Sequence, residues 1–414
     1  EIGGTVGDIE GLPFLEAVRQ FLSEHGRANA CLCHLAYIPF IKAAGEIKTK
    51  PAQHSVQKLR EIGLVPDFLL CRAEKDLSKD VREKLALFCM VEPDHVIEMV
   101  DCKNTIYEVP QALIKQDMPR LLATRLGLEP RECDMRDWEL MLRHIRSPKD
   151  TIRVGLVGKY IQHQDAYKSV TEAIDHAAFA NLLKAEIVRI EGEELEKAAD
   201  WREQLAGLDA IVVPGGFGKR GVESKIMAAR FARETGKPYL GLCLGMQISC
   251  IEFARQVLKL DGAHSTEMDE KTLHPVICLM DDQKKVTDRG GTMRLGAYAC
   301  QLIRKTSRTS RCYGGADLIH ERHRHRYEFN NAYRAAFEEA GMLFTGVHVA
   351  DPAKPEQVLV EIIELKDHPF YIATQAHPEF KSSPVNPHPL FKGLIAAAWK
   401  IKSKGGDEEA APKG

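Results

Sequence analysis

Pro238-Tyr239-Leu240-Gly241-Leu242-Cys243-Leu244-Gly245-Met246-Gln247 is an apolar run that turns into a helical pattern at a cysteine flanked by glycines. It reads as a nucleophile elbow: a side chain on a tight strand-to-helix turn projects above a sheet edge, and small neighbours at Gly241 and Gly245 let the backbone turn without clashing. The helix that follows brings its N-terminal N–H groups beside the sulfur, where they favour a thiolate and a developing oxyanion. A strand that feeds a helix in this way implies an α/β fold built on parallel strands.

By itself the pattern is also that of a buried cysteine between turn glycines. Two further segments argue for chemistry. Ile211-Val212-Val213-Pro214-Gly215-Gly216-Phe217-Gly218 is a buried strand entering a glycine loop, which brings bare backbone N–H groups up to a substrate carbonyl. Far downstream, Pro369 to Ala373 reads as another strand, followed by His377-Pro378-Glu379. In extended backbone these two side chains share one face, so Glu379 is expected to hold the His377 ring while the ring addresses Cys243.

With 414 residues the chain has room for two or three domains. Its 44% hydrophobic and 28% charged residues are ordinary for a globular protein, and a net charge of -2 gives no basis for nucleic-acid or membrane-surface partners. No apolar run is long enough for a membrane span. The 11 cysteines are scattered and form no C-x-x-C pair, which argues for reduced thiols in a cytoplasmic protein and against a structural zinc site.

Glu1-Ile2-Gly3-Gly4-Thr5-Val6-Gly7-Asp8-Ile9-Glu10 looks like the end of a strand entering a glycine loop, and no methionine precedes it, so the sequence is expected to begin inside a domain. A helix follows from Pro13 to about Leu22. The loop from Glu46 to Ser55, with Lys48 and Lys50 before a helix through Leu59 and Ile62, fits a phosphate cradle or a solvated basic turn. Strands at Asp67–Cys71 and His95–Val100 alternate with helices at Lys79–Phe88 and Pro110–Leu126. The stretch 129–150 turns polar and is placed as a linker. A second alternation follows. It comprises a strand at Ile152–Val157, a helix at Ala166–Leu183, strands at Glu186–Ile190 and Ala210–Val213, and a helix from Val222 ending at Gly236. Later strands are expected at Pro275–Met280, Leu343–Val349, Val358–Leu365 and Phe370–Thr374. Lys402 to Gly414, small and charged, is expected to be disordered.

The glycine loop, the elbow and His377-Pro378-Glu379, in that order, resemble the class I (triad) glutamine amidotransferases. Glu1 to Glu10, Lys48-Thr49-Lys50-Pro51-Ala52-Gln53 and Glu321-Arg322-His323-Arg324-His325-Arg326-Tyr327-Glu328 narrow the resemblance to the CTP synthase family. It implies a truncated P-loop/Rossmann-like amidoligase domain over 1–128 and an amidotransferase α/β domain over 151–401. CTP synthases begin with a P-loop segment and a further acidic magnesium ligand, and this sequence starts after both. As written, it is therefore expected to hydrolyse glutamine weakly and to form no CTP.

The same resemblance implies residue roles. Cys243 would be the nucleophile, His377 the base and Glu379 its orienting acid, with oxyanion donors near Gly216 and Leu244. Glutamine contacts would fall on Gly216, Leu244, Gly245, Met246, Gln247, Glu267 and Arg326. Asp8, Ile9, Glu10, Lys48, Thr49, Lys50, Pro51, Ala52, Gln53 and Lys84 would contact CTP or UTP. Asp101 and Cys102 would lie near the ATP adenine, and Glu1 would bind Mg2+. CTP is the family's feedback inhibitor and GTP its activator, with Phe217-Gly218-Lys219-Arg220-Gly221 resembling the lid that responds to GTP, and a homotetramer is expected. His320, His323 and His325 invite a metal reading, which the interleaved Arg322, Arg324 and Arg326 oppose by repelling a cation. Two alternatives stand beside this reading: another triad amidotransferase or γ-glutamyl peptidase, and an assembly or regulatory module without catalysis.

Overall fold

The computed structural model describes residues 2–159, 165–279, 293–350 and 358–410, with side chains assigned up to residue 404. The chain divides into two compact units, Glu1–Leu142 and Arg143–Gly414.

In the first unit the strands Cys33–Ile38, Phe68–Ala73 and Val96–Val100 form a parallel sheet in that order. Ala36, Ile38, Leu69, Cys71 and Val96 pack on one face with Val56, Leu85 and Cys89 from the helices Lys50–Glu61 and Lys79–Cys89. Phe68 and Ile97 pack on the other face against Met118, Leu121 and Leu122. The period of two along the strands thus separates two cores, which is what a sheet covered on both faces requires. The expected helix at Pro110–Leu126 is two helices, Val109–Lys115 and Met118–Arg125, parted at Asp117, whose φ of 60° breaks the helical run.

The stretch placed as a linker holds the helix Arg136–Arg146, whose Met141 and Leu142 are buried. Trp138 Nε1 donates to the Tyr107 carbonyl at 2.8 Å, so this polar stretch is tied down by its few apolar residues.

Among the described residues the second unit builds a nine-stranded sheet. Its parallel half runs Tyr371–Thr374, Tyr239–Leu242, Ala210–Val213, Thr151–Gly158, Lys184–Glu191. Antiparallel strands Val358–Leu365, Met342–Val349, Arg294–Leu302 and Leu318–His325 extend it beyond Tyr371–Thr374. Val157, Ile211, Val213, Tyr239 and Ala373 face a core completed by the helices Val222–Thr235 and Leu244–Gln256. Leu156, Val212, Leu240, Leu242 and Ile372 face a second core, closed by Ala173, Ile174 and Ala177 of helix Lys168–Ala180 and by Leu390, Leu394 and Ala398 of the helix Pro389–Ala410.

That last helix corrects one expectation. Residues 402–410 continue the helix where a disordered tail was expected. Lys402 Nζ donates to the Thr151 carbonyl at 2.6 Å and lies 3.5 Å from Asp150, so the start of the charged segment is fastened to the beginning of the strand Thr151–Gly158.

Asp175, on helix Lys168–Ala180, carries a pH signature of this packing. Burial raises its carboxyl to about 7, with Glu172 adding to the rise and Lys168 opposing it. A carboxyl raised above its ordinary 3.8 supports the fold fully only below that value, and the support is lost as pH rises through about 7. Each unit of difference is about 1.4 kcal/mol. Asp175→Asn is therefore expected to raise the thermal midpoint more at pH 8 than at pH 4, and equal gains at both would refute the assignment.

Candidate active site

The parallel strands Tyr371–Thr374, Tyr239–Leu242 and Ala210–Val213 lie side by side with the elbow strand in the middle. Their C-terminal ends carry, respectively, His377 with Glu379, Cys243, and the loop Gly215–Gly218, so three segments remote in sequence meet at one sheet edge. Cys243 N–H donates to the Thr374 carbonyl at 2.7 Å, which locks the elbow to the strand that delivers His377.

Cys243 has φ 51° and ψ -101°, a left-handed conformation that a residue with a Cβ adopts only under constraint. The glycines supply the constraint. A Cβ at Gly245 would lie 2.2 Å from the Val213 carbonyl oxygen, and one at Gly241 would lie 2.7 Å from the Gly245 oxygen. A Cβ at Gly215 would meet His377 Cε1 at 2.8 Å and Cys243 Cβ at 3.4 Å. The glycine loop therefore lies against both the sulfur-bearing residue and the imidazole.

His377 Nδ1 and Glu379 Oε1 are 2.7 Å apart, and both residues are largely buried. The backbone here is not extended, as the sequence reading had it. Pro378–Lys381 is a 3-10 turn, and Glu379 reaches back from it to the ring. Burial works against a charge on His377, but the attraction of Cys243 and Glu379 outweighs it and raises the imidazole to about 10. Nε2 makes no aligned hydrogen bond, yet the Cys243 side chain lies close enough to contribute more than Glu379 to raising the imidazole. A cavity of about 280 Å³ opens over Gly215, Gly216, His377 and Glu379, walled by Tyr167 and Phe380.

The expected glutamine contacts spread around this centre. Leu244, Gly245, Met246 and Gln247 form the buried first turn of the elbow helix; Met246 and Gln247 N–H donate to the Cys243 carbonyl at 3.0 and 3.3 Å, which leaves the N–H groups of Leu244 and Gly245 without a helical acceptor. Gln247 Nε2 donates to the Tyr327 carbonyl at 3.3 Å and to Gln375 Oε1 at 3.4 Å. Glu267 Oε1 accepts from Gly218 N–H at 3.2 Å and so anchors the glycine loop. Arg326 stands between the strands Leu318–His325 and Tyr327–Phe329, half-buried, while Gly216 lines the cavity. Around the same loop Lys159 Nζ donates to the Phe217 carbonyl and Arg220 pairs with Glu193.

Sequence reasoning missed Gln375, whose Nε2 lies 3.7 Å from Cys243 Sγ. Its spacing of two residues before His377 at a strand end was the available signal. It also missed Arg294, which donates to Glu361 at 2.7 Å and Glu328 at 3.1 Å beside His323 and His325. His323, His325 and Glu361 could bring three ligand atoms within 4.8 Å of one another, whereas His320 is exposed and apart from them. The guanidinium of Arg294 already fills the place of a cation. Burial first, and Arg294 next, push His323 down to about 2 and His325 to about 3.

In the first unit, Lys48 and the helix starting at Lys50 follow the strand Cys33–Ile38, with Lys48 N–H donating to the Pro39 carbonyl at 2.9 Å. Lys48, Lys50, Pro51 and Lys84 are exposed, and Lys48 and Lys84 both act on Glu46. Thr49, Ala52 and Gln53 are buried, with Gln53 donating to Thr49 at 3.1 Å. Asp101 and Cys102 follow the end of the strand Val96–Val100, where Asp101 accepts from Arg72 at 3.1 Å. Ile9 and Glu10 are exposed, and Asp8 accepts from Thr5 N–H at 2.8 Å. Glu1 lies outside the described residues.

Sequence comparison joins the two halves. A family model described as the CTP synthase N-terminus matches residues 1–128, and one for class-I glutamine amidotransferases matches residues 162–397. CTP synthase of Clostridium acetobutylicum is 50% identical over 406 residues, covering 98% of this chain and 74% of the relative. The chain belongs to the CTP synthase family. The CTP synthase of Aquifex aeolicus is likewise 50% identical over 404 residues, covering 98% of the chain and 74% of the relative. Among solved structures, the glutaminase domain of Trypanosoma brucei CTPS with bound acivicin is 38% identical, with a TM-score of 0.56 over 60% of this chain and 94% of that one. Likeness at this level across both halves favours the CTP synthase family over an unrelated triad amidotransferase or a non-catalytic module. No helix among the described residues is long and apolar enough to cross a membrane.

Proposed function

We propose that this chain belongs to an enzyme that makes CTP from UTP, ATP and glutamine, with the second unit releasing ammonia and the first contributing nucleotide contacts, while the 414 residues alone, which hold no P-loop motif, hydrolyse glutamine weakly and form no CTP. The observation that carries the reading is 50% identity to a CTP synthase across 98% of the chain. The thiolate of Cys243 attacks the side-chain amide carbon of glutamine, and the charged His377 passes its proton to the departing ammonia. N–H groups near Gly216 and Leu244 hold the oxyanion, each worth about 3 kcal/mol of barrier. Water then cleaves the thioester to glutamate. In the nucleotide half, ATP phosphorylates the uracil 4-oxygen and ammonia displaces that phosphate. Lys48 to Gln53, Lys84 and Asp8 to Glu10 would receive the pyrimidine nucleotide, and Asp101 and Cys102 the adenine. Glu1 would hold Mg2+, which when bound would neutralise charge on the triphosphates. The loop Phe217–Gly221 would respond to GTP.

A homotetramer fits the exposed Phe14 and Phe21 on helix Leu12–His25. The overall test is glutamate release by the 414 residues and glutamine-dependent conversion of UTP to CTP once the P-loop segment of a CTP synthase relative is joined to them, and no conversion then, with either glutamine or ammonia, would refute it. Glu379→Gln keeps the shape of the hydrogen-bonding partner but removes the charge that holds the imidazole. It is expected to lower glutamine hydrolysis about 10²-fold or more, read by glutamate release. Unchanged turnover would remove Glu379 from the triad.

A further inference from the structure

Helix Val222–Thr235 turns a lysine inward. Lys225 is 1% exposed, and its Nζ has no hydrogen-bond partner among the described residues. An unpaired buried ammonium is costly, so its position calls for a physical reason. Four carboxylates on the surrounding elements are engaged elsewhere: Glu196 with Ser224 N–H, Glu193 with Arg220, Glu223 with Arg255 and Glu252 with Arg233. The charged groups that act on Lys225 are Lys159, from the end of the strand Thr151–Gly158, and Cys243. Burial and Lys159 push Lys225 down to about 8, whereas the sulfur pulls it up.

The geometry places this ammonium against the glycine loop. A Cβ on Gly216 would lie 3.6 Å from Lys225 Nζ and 3.7 Å from Leu244 Cδ2, while one on Gly215 would touch Cys243 and His377. Adjacent glycines therefore contact the triad at one residue and the ammonium at the next. The ammonium and Cys243 thus lie against adjacent residues of one loop, both buried, where charges interact strongly at low dielectric.

We propose that Lys225 is a positioning residue for glutamine hydrolysis, its ammonium holding the Cys243 sulfur in the thiolate form from beneath the Gly215–Gly216 loop. This rests on Cys243 being the nucleophile. Chloroacetamide is the probe: the thiolate forms a C–S bond and chloride leaves, and peptide mass spectrometry reads the rate at Cys243 in the full chain across pH 5.5 to 9. In Lys225→Met the rate at pH 6 is expected to fall about tenfold, the effect of a shift of about one unit in the profile. At pH 9 it should match the wild type, and Lys225→Arg should recover the wild-type rate at pH 6. A profile in Lys225→Met identical to the wild type, or one slowed equally at every pH, overturns the proposal. Because Nζ has no hydrogen-bond partner among the described residues and a buried charge is costly, Lys225→Met and Lys225→Gln are expected to keep or raise the wild-type thermal midpoint, and a large fall in both would make the lysine structural and also overturn it. If Cys243 in the unaltered chain reacts no faster than the exposed Cys33 and Cys133, it is the nucleophile assignment that fails.

Discussion

Cys243→Ala is expected to reduce glutamine hydrolysis by about 10⁴-fold or more, since removing a nucleophile that works as a unit with its base abolishes nearly all of the unit's effect. What survives is the binding and oxyanion contribution of the glycine loop and the elbow helix, neither of which depends on the sulfur. The substitution should not unfold the protein. Alanine is smaller, the site is at the sheet edge, and the hydrogen bond from the backbone of residue 243 to Thr374 remains. Joined to the P-loop segment of a CTP synthase relative, the variant should also retain amination of UTP when ammonia is supplied directly, because only the source of nitrogen is lost. Glutamate release and CTP formation, measured in parallel with glutamine and with ammonium chloride, separate these effects. Loss of both reactions to the same degree would mean that Cys243 does more than release ammonia. Retention of glutamine hydrolysis would refute the triad.

Much of this arrangement was legible in the sequence because its signals are local. Gly241, Cys243 and Gly245 mark the elbow at short range, and the strands that bracket it are apolar runs with clear ends. The order of loops along one edge then follows from parallel pairing, which period-two patterns imply. Other features are not local. Glu361 sits inside the apolar run Val358–Leu365 and could only be read as a strand residue, yet it meets Arg294 and His323 from other strands. Lys225 carries no mark that separates it from the exposed charged residues of the same helix, such as Glu223 and Glu234, because its burial is decided by how the helix rotates against the sheet. The helix at Arg136–Arg146 was hidden by charge: Trp138, Met141, Leu142 and Ile145 are its buried or half-buried apolar residues, and the charged majority made the stretch resemble a linker. The His377-Pro378-Glu379 pairing was foreseen, but its 3-10 turn was not, since proline permits either conformation at that point.

Gly245→Ala is expected to damage both stability and turnover, against the usual trend for this exchange. Alanine in a helix is ordinarily better than glycine by about 1 kcal/mol. Here the added Cβ would lie 2.2 Å from the Val213 carbonyl oxygen, 3.2 Å from its carbon and 3.4 Å from its Cβ. These are mainly backbone atoms of a central strand, paired on both sides, so no rotamer change can relieve the contact. The Gly245 carbonyl is held as well, by Ser249 Oγ at 2.9 Å and Tyr239 OH at 3.2 Å. The helix must therefore move off the sheet, and overpacking of this kind costs about 1–3 kcal/mol or more, which exceeds the propensity gain. Because Cys243 caps that helix, a shift of about 1 Å misplaces the sulfur against His377 and is expected to lower glutamine hydrolysis about 10²-fold. Thermal unfolding and glutamate release on the same preparation test both halves. A variant with the wild-type midpoint and turnover would mean that the elbow helix is not docked on Val213 as described.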